Sequence, residues 1–253
     1  MRRNRLKRSW EDDEPTFGGW CLSGSPFITE LLALQGFDYV CLDAQHGLFG
    51  LESVVSCLFA MARTECTPIV RVPANDVSWI GKVLDSGAQG VIIPMVETRE
   101  QAELAVANSR IFPQGHRSYG PLRISQAFGG NPDDLNSEII CMVMIETALG
   151  VQNAEEICSV PGIDGVYVGP LDLSVTFGTT PTLQLSPGPV ADAVEAIRRA
   201  CVNSGVVAGI QCASGKSAAL MVDQGFKMVT VGTDALFLRS SAQEELSKSR
   251  GGK

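Results

Sequence analysis

Histidine is scarce in this chain, with only 2 among 253 residues, and basic side chains are outnumbered, 20 Lys and Arg against 28 Asp and Glu. The net charge of −8 leaves no basic face of the kind a nucleic-acid surface needs. No apolar run approaches the roughly 18 residues required to span a bilayer, so no membrane segment is expected. The basic start (Arg2, Arg3, Arg5, Lys7, Arg8) gives way to the acidic run Glu11 to Glu14 rather than to an apolar core, unlike a secretory signal. The 8 cysteines (Cys21, Cys41, Cys57, Cys66, Cys141, Cys158, Cys201 and Cys212) form no CxxC pair. Several fall inside apolar segments, which points to reduced core residues of a cytoplasmic protein rather than to a disulfide set or a zinc site. No GxGxxG or GxxxxGK[ST] loop follows a strand, which weakens a doubly wound nucleotide-binding sheet. Lysine is also missing where imine chemistry would need it, because Lys82, Lys216 and Lys227 fall in helices or just before a strand.

What the chain does have is a regular alternation. Short apolar strands are expected at Gly19–Leu22, Tyr39–Leu42, Ile69–Arg71, Gly90–Ile93, Cys141–Ile145, Gly165–Val168, Val206–Ile210 and Met228–Val231. They are continuously apolar, as parallel strands covered on both faces are. Amphipathic stretches separate them: Pro26–Gln35, Leu51–Arg63, Val77–Ser86, Thr98–Ser109, Thr147–Ser159, Pro189–Ser204 and Ser214–Gln224. Gly36, Gly87, Gly205 and Gly225 stand just past four of these, at helix-closing positions. Eight strand–helix alternations make a single-domain (β/α)8 barrel the expected fold, over residues 17–245. Residues 1–16 and 246–253 read as disordered, solvated tails. The irregular stretch Pro113–Pro132, with His116, Arg117, Tyr119, Arg123 and Gln126, reads as a long loop; following the fourth strand, it is expected on the catalytic face.

In such a barrel the strand C-termini converge on one mouth. Asp43, His46, Arg71, Glu146, Asp172, Gln211, Cys212 and Thr233 all fall there. Glu146 and Asp172 each follow a buried run, an expensive place for a carboxylate without a partner. A helix N-cap would explain one of them alone; two together suggest a shared hard divalent cation, with zinc less suited because His46 is the one nitrogen donor nearby. Asp43 and His46 could form an orienting carboxylate–imidazole pair. Arg71 is shaped either to grip a substrate carboxylate in two-pronged fashion or to pair internally with Glu146 or Asp43. These parts suit a metal-polarised 2-oxo acid whose enolate is reached by proton transfer.

The segments Leu42-Asp-Ala-Gln-His-Gly47, Val70-Arg-Val-Pro73, Lys82-Val-Leu-Asp-Ser-Gly-Ala88, Pro94-Met-Val-Glu-Thr98, Gly115-His-Arg-Ser-Tyr-Gly-Pro121, Ile145-Glu-Thr147 and Gly165-Val-Tyr-Val-Gly-Pro-Leu-Asp-Leu-Ser174 together resemble the HpcH/HpaI family of class II, metal-dependent 2-oxo-acid aldolases. The resemblance runs from about Gly18 to Leu238. It implies Glu146 and Asp172 as ligands of Mg²⁺ or Mn²⁺, with Co²⁺ a further candidate. It implies His46 as acid and base, Asp43 as its partner, Arg71 as the pyruvate-binding group, and Gly169, Pro170 and Leu171 as a backbone frame for the 2-oxo acid. Gln45, where many members carry Glu, is expected at the substrate; Met144 stands where many carry Gln and Leu171 where many carry Ala. The resemblance further implies trimers or hexamers of a carbon–carbon lyase that reversibly joins pyruvate or a close 2-oxo acid to an aldehyde. The three departures keep open an oxaloacetate decarboxylase, or a biosynthetic enzyme like macrophomate synthase using the same enolate, and behind these a silent 2-oxo-acid-binding barrel.

Overall fold

The computed structural model describes residues 3–251. The elements run α1 (Arg5–Glu11), β1 (Thr16–Cys21), α2 (Pro26–Ala33), β2 (Tyr39–Asp43), α3 (Leu51–Met61), β3 (Thr67–Arg71), α4 (Val77–Asp85), β4 (Gly90–Ile93) and α5 (Arg99–Ser109). They continue with α6 (Ile124–Phe128), α7 (Pro132–Glu138), β5 (Ile140–Ile145), α8 (Ala148–Gln152), α9 (Ala154–Cys158), β6 (Gly165–Val168) and α10 (Pro170–Thr176). The last are α11 (Pro189–Ser204), β7 (Val207–Gln211), α12 (Gly215–Asp223), β8 (Met228–Thr233) and α13 (Asp234–Ser249). The eight strands pair in order, all parallel, and β8 closes on β1, giving the expected (β/α)8 barrel.

Side chains alternate along each strand, so one set packs under the helices and the other fills the barrel. Val40, Leu42, Val70, Cys141, Val143 and Ile145 belong to the outer core. Tyr39, Cys41, Ile69, Met142 and Met144 belong to the inner one, together with Trp20 and Tyr167. Gly18 makes room for this filling: a Cβ there would lie 2.1 Å from the Tyr39 ring. Strand β1 starts at Thr16, three residues before the expected Gly19, and its first residues pair with β8.

Three expectations change. Residues 5–11 of the supposed N-terminal tail form α1, docked across the end of the barrel where the strands begin. Asn4 is fully buried; its backbone N–H donates to Glu138 Oε2 at 2.6 Å and its side-chain amide to the carbonyls of Gln89 and Glu138. Lys7 Nζ reaches Asp164 Oδ1 at 2.7 Å, and Leu6 enters the inner core. The charges that suggested solvation are thus partners of groups on the barrel's rim. Leu6→Ala is expected to cost about 2–4 kcal/mol, lowering Tm by on the order of 10 °C in a thermal melt; an unchanged Tm would show that α1 does not close the barrel. At the other terminus, α13 continues through residues 246–249, beyond the expected domain end at 245.

The stretch Pro113–Pro132 lies on the opposite face from the one expected, because α5 intervenes between β4 and this segment. Arg117 Nη1 donates to Asp85 Oδ1 at 2.9 Å, at the C-terminal end of α4. The neighbouring Arg110 holds Asp164 at 2.7 Å, ahead of β6, and the carbonyls of Asn136 and Ile139, ahead of β5. All of these groups flank strand N-termini, so His116 and Arg117 take no part in the mouth. The same segment contains α6 and is not a continuous loop. The eight cysteines are free and buried, and no helix among the described residues is long and apolar enough to cross a membrane.

Candidate active site

Period-two alternation delivers the charged residues to the mouth. Tyr39, Cys41 and Asp43 share one face of β2, Ile69 and Arg71 one face of β3, and Met142 and Met144 one face of β5, with Glu146 the next step beyond. The register pairs Asp43 directly with Arg71 across β2 and β3. The result is a two-pronged ion pair: Arg71 Nε donates to Asp43 Oδ1 at 2.9 Å and Nη2 to Oδ2 at 2.6 Å. Asp43 is fully buried, and burial pushes its carboxyl up, but the hydrogen bonds and charge of Arg71 outweigh that and hold it below its usual value. Burial likewise opposes the charge on Arg71, and Asp43 reverses the balance and raises its pKa.

The structure shows the internal pairing of Arg71 with Asp43 rather than with Glu146, and it gives Asp43 a partner other than the His46 ring. Asp43 Oδ1 also accepts the backbone N–H groups of Gln45 and His46, each at 3.1 Å, rather than the His46 ring. The carboxylate therefore shapes the turn after β2 and fixes the Arg71 guanidinium. Arg71 is further confined by the Trp20 ring, whose centroid lies 5.2 Å from Cζ, and its Nη1 faces the Met144 thioether at 3.7 Å. The Nε/Nη2 edge is occupied by Asp43, so Nη1 is the donor left for another oxygen.

Glu146 and Asp172 are not helix caps. Thr147 caps α8, and Gly169 stands at the N-cap of α10, which places Asp172 within its first turn. Glu146 is 2% exposed. Its Oε1 accepts the backbone N–H of Met95 at 2.9 Å, and Met95 holds a left-handed φ of 56° to present that group. Its Oε2 lies against Gly169, where a Cβ would come within 2.6 Å. Burial pushes the Glu146 carboxyl up to about 7; the Met95 bond opposes this, and the nearby negative charge of Asp172 adds to it. A buried Glu146 carboxylate beside the negative charge of Asp172 is poorly compensated without a cation. No cluster of three or more His, Cys, Asp or Glu side chains among the described residues could hold a metal. A hard divalent ion that keeps water or substrate oxygens fits a two-carboxylate site, and a zinc site with three or four protein donors does not.

These groups line one cavity of about 240 Å³. Asp43, His46, Arg71, Glu146, Gly169, Pro170, Leu171, Asp172, Gln211 and Thr233 all reach it. Two expected residues do not. Gln45 turns away after β2, with its Oε1 buried and unpaired, and Cys212 faces a separate cavity. Five lining or supporting residues were missed: Trp20, Tyr167, Leu22, Leu183 and Met95. The first two stand at inward positions of β1 and β6, which alternation could have marked. Leu183 belongs to an irregular segment, and nothing in a methionine signals a left-handed backbone.

Residues 16–241 match the family described as HpcH/HpaI aldolase/citrate lyase. A hydroxypyruvate/pyruvate aldolase of Rhizorhabdus wittichii is 34% identical over 248 residues, 98% of this chain and 99% of that protein. A 5-keto-4-deoxy-D-glucarate aldolase of Klebsiella pneumoniae is 34% identical over 95% of this chain and 94% of its own. Among solved structures, an HpcH/HpaI aldolase/citrate lyase family protein from Burkholderia cenocepacia superposes with a TM-score of 0.89 at 29% identity, covering 98% of this chain and all of that one.

Proposed function

The chain belongs to the HpcH/HpaI aldolase/citrate lyase family, and from that premise we propose that its cavity carries out divalent-metal-dependent aldol condensation and cleavage through the enolate of pyruvate or a close 2-oxo acid. It is a lyase, with aldolases as its relatives over nearly its whole length. The observation that carries the metal-dependent reading is the buried Glu146 carboxylate set beside Asp172, with Arg71 locked across the same cavity.

Glu146 and Asp172 are the residues that would hold Mg²⁺ or Mn²⁺. When bound there, such an ion supplies Lewis acidity to the 2-oxo group of the substrate. Arg71 Nη1 donates to an oxygen of the same acid, and the Asp43 clamp keeps the guanidinium from swinging away. Gly169, Pro170 and Leu171 bound the donor's space. His46, on the rim, moves the proton between the donor's C3 carbon and the product hydroxyl. Gln45 gives its backbone N–H to Asp43 and is absent from the cavity lining. The same reading includes a homo-oligomer, trimeric or hexameric, which would cover exposed apolar side chains such as Phe27, Leu48 and Leu238.

The first experiment is proton NMR of the pyruvate methyl group in D₂O with the protein, with and without Mg²⁺ or Mn²⁺. Metal-dependent loss of the methyl signal is the expected result. Absence of exchange with every divalent ion, for both pyruvate and hydroxypyruvate, would remove the enolate reading. A second result isolates the carboxylate geometry. In Gly169→Ala the new Cβ would lie 2.6 Å from Glu146 Oε2 and 2.9 Å from Glu146 Cβ, so the carboxylate must shift. Calorimetric Mn²⁺ affinity is expected to fall about 10–100-fold; unaltered affinity would show that Glu146 is not held by this packing.

A further inference from the structure

Two of the cysteines are neighbours in space. Cys158 closes α9 and Cys201 lies in α11, 43 positions further along the chain. Their sulfurs stand 3.9 Å apart, the one sulfur–sulfur pair in hydrogen-bonding reach among the described residues. Both are buried in the core beneath the outer helices. The path to them is short. Ala154, one helical turn before Cys158, and Ala200, next to Cys201, line a cavity of about 310 Å³ between α8, α9 and α11. Each places only a methyl group on the way to the thiols. The covering element is slight, because α8 and α9 are five residues each, meet at Asn153, and α9 has no side-chain cap. Helices this short are marginal on their own and open locally. The pair is also asymmetric. Its hydrogen bond to Cys158, together with burial, pushes the Cys201 thiol well above its usual value. Cys201 therefore holds its proton, and reaction with an oxidant starts at Cys158.

We propose that Cys158 and Cys201 are a redox modification site, at which a small hydroperoxide such as hydrogen peroxide joins α9 to α11 through a reversible disulfide. The inference is independent of the enolate reading. The Cys158 thiolate attacks one peroxide oxygen, the O–O bond breaks, and Cys158 becomes a sulfenic acid. The hydroxide released takes up the proton that Cys158 gave away. The Cys201 sulfur then attacks the Cys158 sulfur, the S–S bond forms, and the displaced oxygen leaves as a second water with the Cys201 proton. Two thiols lose two electrons, the peroxide gains them, and no other reactant is consumed. A sulfenic acid at any other cysteine would have no thiol in contact, so the disulfide is specific to this pair. The bond encloses the segment that carries β6 and α10, and with them Gly169 and Asp172 of the mouth. Closing a loop of that length restricts the unfolded chain and so favours the folded one. Because α9 and α11 lie outside the strands, the approach of the sulfurs moves helices and leaves the barrel register in place.

The test exposes the full-length protein to millimolar hydrogen peroxide under native conditions, blocks the remaining thiols and maps the peptides by mass spectrometry. The expected main disulfide joins Cys158 to Cys201, with fragmentation separating Cys201 from Cys212, which shares its tryptic peptide. Dithiothreitol is expected to restore both thiols. The linked protein should melt about 3–8 °C higher than the same sample after dithiothreitol, a comparison in which any methionine oxidation is common to both arms. C158A and C201A, treated alike, should show neither the link nor the reversible shift. Should either variant fail to fold, the wild-type peptide map decides alone. If Cys158 and Cys201 stay reduced, or reach sulfinic acid without a link, the site is overturned. If the link forms and Tm is unchanged or lowered, the bond does not fasten the segment that carries Asp172, and that part of the inference is overturned.

Discussion

Arg71→Ala is expected to lower kcat/KM for pyruvate-dependent condensation by about 10²–10³-fold and at the same time to destabilise the protein by about 3–5 kcal/mol. The two effects come from one geometry. Nη1 is the donor available to the substrate, while Nε and Nη2 neutralise Asp43, whose side chain is only 1% exposed. Removing the guanidinium leaves a buried carboxylate with two backbone N–H groups and no counter-charge, and that orphaned charge dominates the stability loss. Desolvation costs the intact pair much of its attraction, so deleting both charges should be mild where deleting one is severe. Asp43→Asn combined with Arg71→Met is therefore expected to recover most of the lost Tm while activity stays low. Thermal melts and steady-state kinetics on the single and double variants separate the contributions. A single variant that keeps its Tm would mean that the pair does not hold the mouth together, and one that keeps its turnover would remove Arg71 from the chemistry.

The inward placement of Asp43, Arg71 and Glu146 is legible from the chain because a strand has a side-chain period of two and each residue continues an inward series. Which partner Arg71 takes is not legible. Asp43 and Glu146 are equally plausible anions in the sequence, and the choice falls to the β2–β3 register, which sets Asp43 beside Arg71. Register depends on how strands meet, not on the composition of either one. The same limit explains Asp43 and His46. Their spacing suggests a carboxylate–imidazole pair, but a chain turning sharply after β2 brings the His46 backbone, not its ring, to the carboxylate. The ends of β4 and β6 are legible because Gly90 and Gly165 open short apolar runs. The α1 helix is concealed by its charges, since Lys7 reads as solvent-facing until Asp164 is known to lie beneath it, and the buried Asn4 and Leu6 are too few to form an apolar run. The stretch after α5 is misplaced for a topological reason: in a barrel, the segment after a helix returns to the strand N-termini, so distance from β4 along the chain does not give its face.

Glu146→Gln is expected to abolish turnover and yet to make the metal-free protein more stable than wild type above pH 7. Burial and the adjacent Asp172 raise the Glu146 carboxyl in the folded chain from 4.5 to about 7, against the opposing Met95 bond. A raised folded pKa means that the native state holds this proton more tightly than the unfolded chain does. The stabilisation from that proton is complete below pH 4.5 and is lost as pH rises through about 7. The shift corresponds to about 3 kcal/mol, which metal-free wild type forfeits by pH 8. Glutamine carries no charge to bury and its Oε1 can still accept the Met95 N–H, so the stability difference between variant and wild type should grow from pH 5 to pH 8 and flatten beyond. A divalent cation held by Glu146 and Asp172 favours the ionised form, so its affinity should rise with pH, and binding near pH 6 should release close to one proton. Melts across that range, with chelator or with Mn²⁺, read both predictions, and calorimetry in buffers of different ionisation enthalpy counts the proton. Wild type and Glu146→Gln that differ by a constant amount at every pH would show that Glu146 stays ionised without a metal. A Mn²⁺ affinity independent of pH would remove the carboxylate from the ligand set.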